Sequence, residues 1–240
     1  MPARAKVALT IEIEPARRRE FSRRLRAWFR KNGRDLPWRR TRDPYRVLVS
    51  ELMLQQTQVS RVVDYYERFL SRFPTLDHVA EAPQRAVLRS WAGLGYYARA
   101  RNLHALARHV ARDGNVIPDS PSALRALPGI GDYTAGAVAS FAYERRAALV
   151  DTNVARVLHR VFLPTVDPKS SEGRRAGWTL AEQLLPRRGR DTWTHNQALM
   201  ELGALICTAR VRHCERCPVA SLCDTRSGES KRPKRLAADR

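Results

Sequence analysis

Leu127-Pro128-Gly129-Ile130-Gly131-Asp132-Tyr133-Thr134-Ala135-Gly136, followed by an apolar helical run and then by Val150-Asp151-Thr152-Asn153, is the stretch that decides how the chain folds. Gly129 and Gly131 bracket a hairpin that opens a helix at Asp132 to Phe141. Unpaired backbone N–H groups and the positive end of the helix dipole are then available to a phosphate. Binding of that kind reads no base sequence. Beyond the helix, Asp151 delivers a carboxylate that can face whatever nucleotide the hairpin anchors. Alone, Gly-X-Gly before a helix is an ordinary tight turn, and an Asp after a helix is a cap or a solvated residue. The surroundings give the stretch its weight.

Across 240 residues the 43% hydrophobic content suffices for a core without covalent staples. The net charge of +20, carried mostly by arginine, exceeds what solubility requires and points to a polyanionic partner held by bidentate phosphate contacts. A membrane surface is the competing partner, but no basic amphipathic helix stands apart from the fold. No apolar run approaches the roughly 18 residues of a membrane span. Met1 to Pro15 lacks the apolar segment of a signal peptide, so a cytoplasmic, nucleoid-associated protein is expected.

Residues 1–14 read as a loose arm in which Val7, Leu9, Ile11 and Ile13 alternate as in a short strand. Pro15 opens a helix with Phe21, Leu25, Trp28 and Phe29 on one face and arginines on the others; Asn32-Gly33 ends it. Leu36-Pro37-Trp38-Arg39 reads as an extended link. Pro44 starts the next helix, Tyr45 to Gln55, which turns Val47, Leu48, Leu52 and Met53 inward. Glu51 stands among them, either as a solvated edge residue or as a carboxyl whose pKa burial has raised for acid work. Helices are expected at Ser60 to Phe73, at Arg99 to Arg112 with Leu103, Leu106, Ala107 and Val110 inward, and near Val154 to Phe162, Ser171 to Leu185 and Thr192 to Thr208. His104 and His109 read as helix surface. Helices joined by short turns argue for an all-α fold.

Four cysteines are spaced Cys207-x6-Cys214-x2-Cys217-x5-Cys223, with Pro218 after the third. In a reducing compartment they are not read as disulfides. Thiolates within one short segment can wrap a single metal centre, because each added ligand closes only a small loop. All-cysteine zinc sites usually come as two C-x-x-C knuckles farther apart, so the one close pair favours iron–sulfur. Arg210, Arg212, His213 and Arg216 lie between the ligands and would make a rigid phosphate-binding surface.

Leu36-Pro37-Trp38-Arg39, Ser50-Glu51-Leu52-Met53-Leu54-Gln55-Gln56-Thr57, Gly93-Leu94-Gly95-Tyr96-Tyr97-Ala98-Arg99, the hairpin with Asp151, and the cysteine pattern together resemble the helix-hairpin-helix DNA glycosylases. The closest resemblance is to the MutY-type adenine DNA glycosylases. It implies an all-α, two-lobed helix-hairpin-helix fold with a [4Fe-4S] cluster loop, acting as a monomer on double-stranded DNA that contains a mismatch or an oxidised base pair. The expected division is an arm over 1–14, an N-terminal helix over 15–38 joining the cluster lobe, a helical barrel lobe over 39–146, a cluster lobe over 147–224 and a basic disordered tail over 225–240. The resemblance makes Glu51 the acid that protonates adenine N7 and Asp151 the group that stabilises or captures the sugar cation. Asn153 would orient Asp151 and water. Trp38, Arg39, Leu54, Val59 and Gln197 resemble adenine-pocket residues, while Gln56 and Tyr96 resemble groups that enter the duplex when the base is flipped. For Trp38, Leu54 and Val59 a plain core role stays open.

Tyr133 stands where lyase-active relatives such as endonuclease III carry a lysine, so a monofunctional glycosylase is expected. MutY-type enzymes usually continue into a C-terminal domain that recognises 8-oxoguanine, and Thr225 to Arg240 is too short to form one. Opposite-base discrimination is therefore expected to be weaker. Two alternatives remain. One is excision of thymine or uracil opposite guanine, disfavoured by the Glu51 motif and Gln197. The other is a non-catalytic iron–sulfur DNA-binding module, for which Glu51 and Asp151 would be dispensable.

Overall fold

The computed structural model describes residues 11–230. In chain order its helices are α1 (Pro15–Asn32), α2 (Pro44–Leu54), α3 (Val59–Arg72), α4 (Leu76–Glu81), α5 (Gln84–Trp91), α6 (Ala98–Arg112), α7 (Pro121–Arg125), α8 (Asp132–Tyr143), α9 (Thr152–Phe162), α10 (Ser171–Leu184), α11 (Gly189–Leu205) and α12 (Asp224–Ser230). Among the described residues there is no strand, only an isolated antiparallel bridge between Cys207 and Arg212. None of these helices is long and apolar enough to cross a membrane. The chain divides into two compact units.

One unit comprises Arg34–Leu149 with Arg187–Trp193. At its centre α2 packs against α3, α6 and α8. Asp43 starts α2, its carboxylate accepting from the N–H groups of Tyr45 and Arg46, and Pro44 occupies the first turn, where no N–H is needed. The helix buries Val47, Leu48, Val49, Leu52 and Met53, too many for one face, as befits an element covered on several sides. Its partner α8 is built from small residues that let backbones approach closely. A Cβ on Gly136 would stand 2.0 Å from the Ala148 carbonyl oxygen. Phe69 packs between Phe73 and Trp91, with centroids 5.1 and 5.8 Å away.

The other unit comprises Met1–Gly33, Val150–Pro186 and Thr194–Arg240. Here α9 presents Val154, Val157, Leu158, Val161 and Phe162 to a core that packs it against α10 and α12. Phe21 of α1 meets Phe162 edge-on at 5.1 Å. Arg17 donates to the carbonyls of Val161 (3.0 Å) and Leu222 (2.6 Å) and to Asp224 (2.7 Å), fastening α1 to the end of α9 and the start of α12.

Several sequence expectations give way here. Pro37–Arg39 is a 3-10 turn rather than an extended link, closed by Arg39 N–H to the Leu36 carbonyl at 2.9 Å. Ile11 and Ile13, the described half of the alternating run, form no strand; Val7 and Leu9 lie outside the described residues. α12 occupies the start of the stretch read as a disordered tail, where the Thr225 hydroxyl donates to the Arg160 carbonyl at 2.5 Å. Residues 231–240 lie outside the description. His104 is buried rather than on the helix surface, because Nε2 finds the Ala82 carbonyl at 2.9 Å.

Candidate active site

In the α2–α8 unit the hairpin before α8 has two unlike glycines. Gly129 has φ +76°, and a Cβ there would fall 2.5 Å from Asn102. Gly131 precedes α8 with no side chain capping the helix, and its surroundings are open. The first N–H groups of α8 therefore face outward without an intramolecular cap, the arrangement that accepts an anion.

The same helix carries Tyr133, whose hydroxyl donates to Glu51 Oε2 at 2.8 Å. Glu51 is only 3% exposed on α2 among Leu48, Leu52 and Met53. Sequence pattern left a solvated edge as an alternative for this carboxyl; it is enclosed. At the end of α2, Leu54 is half-buried and Gln56 is exposed; Val59 starts α3, half-buried. Trp38 is buried edge-on against Tyr66 at 5.5 Å, and Arg39 donates to the Arg34 carbonyl at 2.9 Å. Tyr96 is 58% exposed on the loop between α5 and α6. Arg99, to which sequence reading assigned no role, is buried beneath Gln56 and Tyr96 and bonds to both loops.

In the α9–α10 unit Asp151 is the N-cap of α9. One carboxylate oxygen accepts from Val154 N–H at 2.7 Å and the other from Asn153 Nδ2 at 3.0 Å. The cap does not use up the carboxylate, since each oxygen has a second lone pair. Asn153 is held in turn by Arg156, whose Nη2 donates to Asn153 Oδ1 and to the Gly203 carbonyl, both at 2.7 Å. Arg156 Nε reaches the Cys207 carbonyl at 2.9 Å. Arg160, one turn on, donates to the Thr208 carbonyl at 2.7 Å and to Cys207 Sγ at 3.3 Å. Arg156 and Arg160 escaped notice in a chain crowded with arginines; their four-residue spacing on one helix face was the available signal. Gln197 is buried within α11.

All four cysteines are free thiols lining one pocket, together with Arg160, Arg212, His213 and Arg226. Burial, helped by the neighbouring thiols, pushes Cys217 up to about 11. Ionising such a set requires a cation among the sulfurs. Among the described residues no three His, Cys, Asp or Glu groups converge as ligands of a single ion. Four soft thiol donors with a basic lining fit a metal centre that is anionic with its thiolates.

The sequence pattern of the family described as HhH-GPD superfamily base excision DNA repair protein matches residues 49–183. A rat protein named adenine DNA glycosylase is 46% identical over 214 residues, covering 85% of this chain and 41% of the rat protein. One from Mycobacterium tuberculosis, of the same name, is 46% identical over 198 residues, covering 81% of this chain and 64% of its own. The chain thus spans less than two thirds of these relatives. A solved thermostable thymine-DNA glycosylase superposes with TM-score 0.80 at 32% identity, covering 89% of this chain and 98% of its own. An endonuclease III trapped as a covalent DNA intermediate shares the fold, with TM-score 0.76 at 21% identity, covering 92% and 100%.

Proposed function

Because the chain belongs to the HhH-GPD superfamily of base excision DNA repair proteins, we propose that it is a monofunctional DNA glycosylase. In this reading it removes adenine mispaired with guanine or 8-oxoguanine from double-stranded DNA by hydrolysing the N-glycosidic bond. The observation that carries the chemistry is Glu51, enclosed on α2 with the Tyr133 hydroxyl on one oxygen. Adenine is a poor leaving group until protonated, and in this reading Glu51, beside the Tyr133 hydroxyl, is the donor to N7. As the bond to C1′ breaks, positive charge grows on the sugar. Asp151 offsets it, held by the Val154 N–H and by Asn153, which also directs the attacking water. Tyr133 supplies no amine, so no Schiff base forms and the strand stays whole.

Trp38, Arg39, Leu54, Val59 and Gln197 are the adenine-recognising residues in this reading, Gln56 and Tyr96 enter the duplex, and the hairpin at Gly129 and Gly131 grips a phosphate. Cys207, Cys214, Cys217 and Cys223 would hold a [4Fe-4S] cluster, which when bound anchors their loop as a rigid body. The α2–α8 unit corresponds to the barrel lobe and the α9–α10 unit to the cluster lobe. The enzyme acts as a monomer on nucleoid DNA in the cytoplasm, and phosphate contacts make its binding strongly salt-dependent. A second reading, removal of thymine or uracil opposite guanine, is favoured by the likeness to the thymine-DNA glycosylase over nearly that whole protein.

The test is single-turnover excision on duplexes that differ only at the lesion pair: A:8-oxoguanine, A:G, A:C, T:G and U:G, with alkali to reveal abasic sites. Adenine release with strands intact before alkali is expected. Glu51→Gln should lower that rate by about 10²-fold or more while duplex binding persists. Release of thymine or uracil moves the chain to the second reading. Binding without release of any base removes the catalytic assignment.

A further inference from the structure

Gln56 and Tyr96 share an unusual backbone state. Their φ angles are +55° and +48°, in the left-handed region that residues with a Cβ enter only when their surroundings over-determine it. Side-chain packing supplies little of that constraint, since both side chains are exposed. Nor do the neighbours relax it, because Gly93 and Gly95 also have positive φ, at +97° and +74°.

The common element beneath the two turns is Arg99. It is 5% exposed, and no carboxylate stands among its partners in the described residues. Nη1 donates toward the carbonyls of Leu52 (2.8 Å), Met53 (2.7 Å) and Gln55 (2.5 Å). Nη2 donates toward Thr57 Oγ1 (3.2 Å) and the carbonyls of Leu94 (3.4 Å) and Gly95 (3.1 Å). Gln55 and Thr57 flank Gln56 on its two sides, and Leu94 and Gly95 lead into Tyr96. The Tyr96 ring itself lies 5.4 Å from the guanidinium carbon. Nε has no partner among the described residues, so the fork is spent entirely on the two turns.

The charge is suited to this place. The carbonyls of Leu52 and Met53 belong to the last turn of α2, where unpaired acceptors and the negative end of the helix dipole meet a cation favourably. Arg99 lies in the first turn of α6, the wrong end of its own helix for a positive charge, so local propensity does not account for it. A lysine would bring a point charge but could not span both turns with a planar fork.

We infer that Arg99 is a positioning residue that locks the Gln56 and Tyr96 turns to each other, so that the two exposed side chains meet the duplex as a preset pair during nucleotide extrusion. The inference rests on the glycosylase reading above and adds the device that supports extrusion. It predicts a defect that depends on how much extrusion the substrate still needs. A residue that only supported the fold, or the neighbouring Glu51, would slow every substrate alike.

The experiment compares Arg99→Lys and Thr57→Val with wild type, in the full chain with its iron content matched. Single-turnover adenine release is measured on an A:G duplex and on the same strand with the adenine opposite a tetrahydrofuran abasic analogue, where no pairing holds it in the stack. Arg99→Lys should lose about 10-fold more rate on the A:G duplex than on the unpaired adenine, the size expected when a geometry-setting contact is removed. Thr57→Val should shift the same ratio in the same direction by about 3-fold. Equal losses on the two duplexes, or no loss on either, overturn the inference. Should Arg99→Lys lack a cooperative unfolding transition, Thr57→Val decides alone, and an unchanged ratio overturns it. Wild-type protein that releases adenine from neither duplex removes the glycosylase reading, and this inference with it. Wild-type release with no change in ratio removes the inference only.

Discussion

Replacing Arg156 by Met keeps an unbranched stem on α9 and deletes the guanidinium. It removes the donors to Asn153 Oδ1 and the Gly203 carbonyl at 2.7 Å and to the Cys207 carbonyl at 2.9 Å. A hydrogen bond from a charged donor contributes about 1.5–3 kcal/mol, but three on one half-buried group do not add, and water replaces part of the loss. A net cost of about 3 kcal/mol follows, which at about 2–4 °C per kcal/mol for a chain of this size lowers Tm by roughly 10 °C. The kinetic effect has a different origin. The bond to Oδ1 fixes which way the Asn153 amide points, and with it the Nδ2 donor that holds Asp151 at 3.0 Å. With the amide free to turn, Asp151 loses the alignment that the proposed reaction requires of it, a positioning loss of about 10²-fold. Single-turnover adenine release at saturating protein measures this, with thermal unfolding and iron per chain followed on the same preparation. A rate within about threefold of wild type at an unchanged Tm would show that Arg156 does not organise the Asp151 carboxylate, and the reasoning would be wrong.

Gly136→Ala places a Cβ 2.0 Å from the Ala148 carbonyl; calorimetry should find about 1–3 kcal/mol of destabilisation, and an unshifted transition would refute the close packing of α8. His195 is fully buried, with Nδ1 on the Ser22 hydroxyl at 3.2 Å, and burial, aided by Arg26, pulls its pKa down to about 3. The unfolded imidazole binds a proton below about 6.5 while the native one stays neutral, so stability falls as the pH drops from there toward 3. At pH 5 this amounts to about 2 kcal/mol relative to neutral pH; urea unfolding of wild type and His195→Gln from pH 7 to 5 should show the gap between them narrowing, and parallel profiles would contradict it. Cys217→Ser exchanges a soft donor for a hard one, so the purified protein should carry well below about four irons per chain, with a lower Tm. Full iron content in that variant would count against the four-cysteine assignment.

Much of the fold was legible because its signals are local. Leu103, Leu106, Ala107 and Val110 recur at helical spacing and are buried on α6, and Pro44 marks the start of α2. Asp151 could be read either as a cap or as a chemical group, and the structure makes it a cap with acceptor capacity to spare. What escaped was the polar interior. His104, His195 and Arg99 look like surface residues in sequence, because the acceptors that permit their burial come from distant positions: Ala82, Ser22 and the last turn of α2. Trp38 is buried edge-on against Tyr66, a contact between distant positions that its sequence neighbours do not announce. The 3-10 turn at Pro37–Arg39 was missed because a single turn leaves no periodicity to detect.

The two glycines of the hairpin are the same letter under different kinds of selection. Gly129 is demanded by the polypeptide itself, since its positive φ and the Asn102 side chain leave no place for a Cβ. Gly131 has open space around it, so nothing inside the chain forbids a side chain there. Under the proposed reading, its smallness serves the approach of a phosphate. A descendant copy that no longer met DNA would therefore keep Gly129 for as long as it folded, while position 131 drifted, and the pattern of change across the pair would record which constraint had lapsed first.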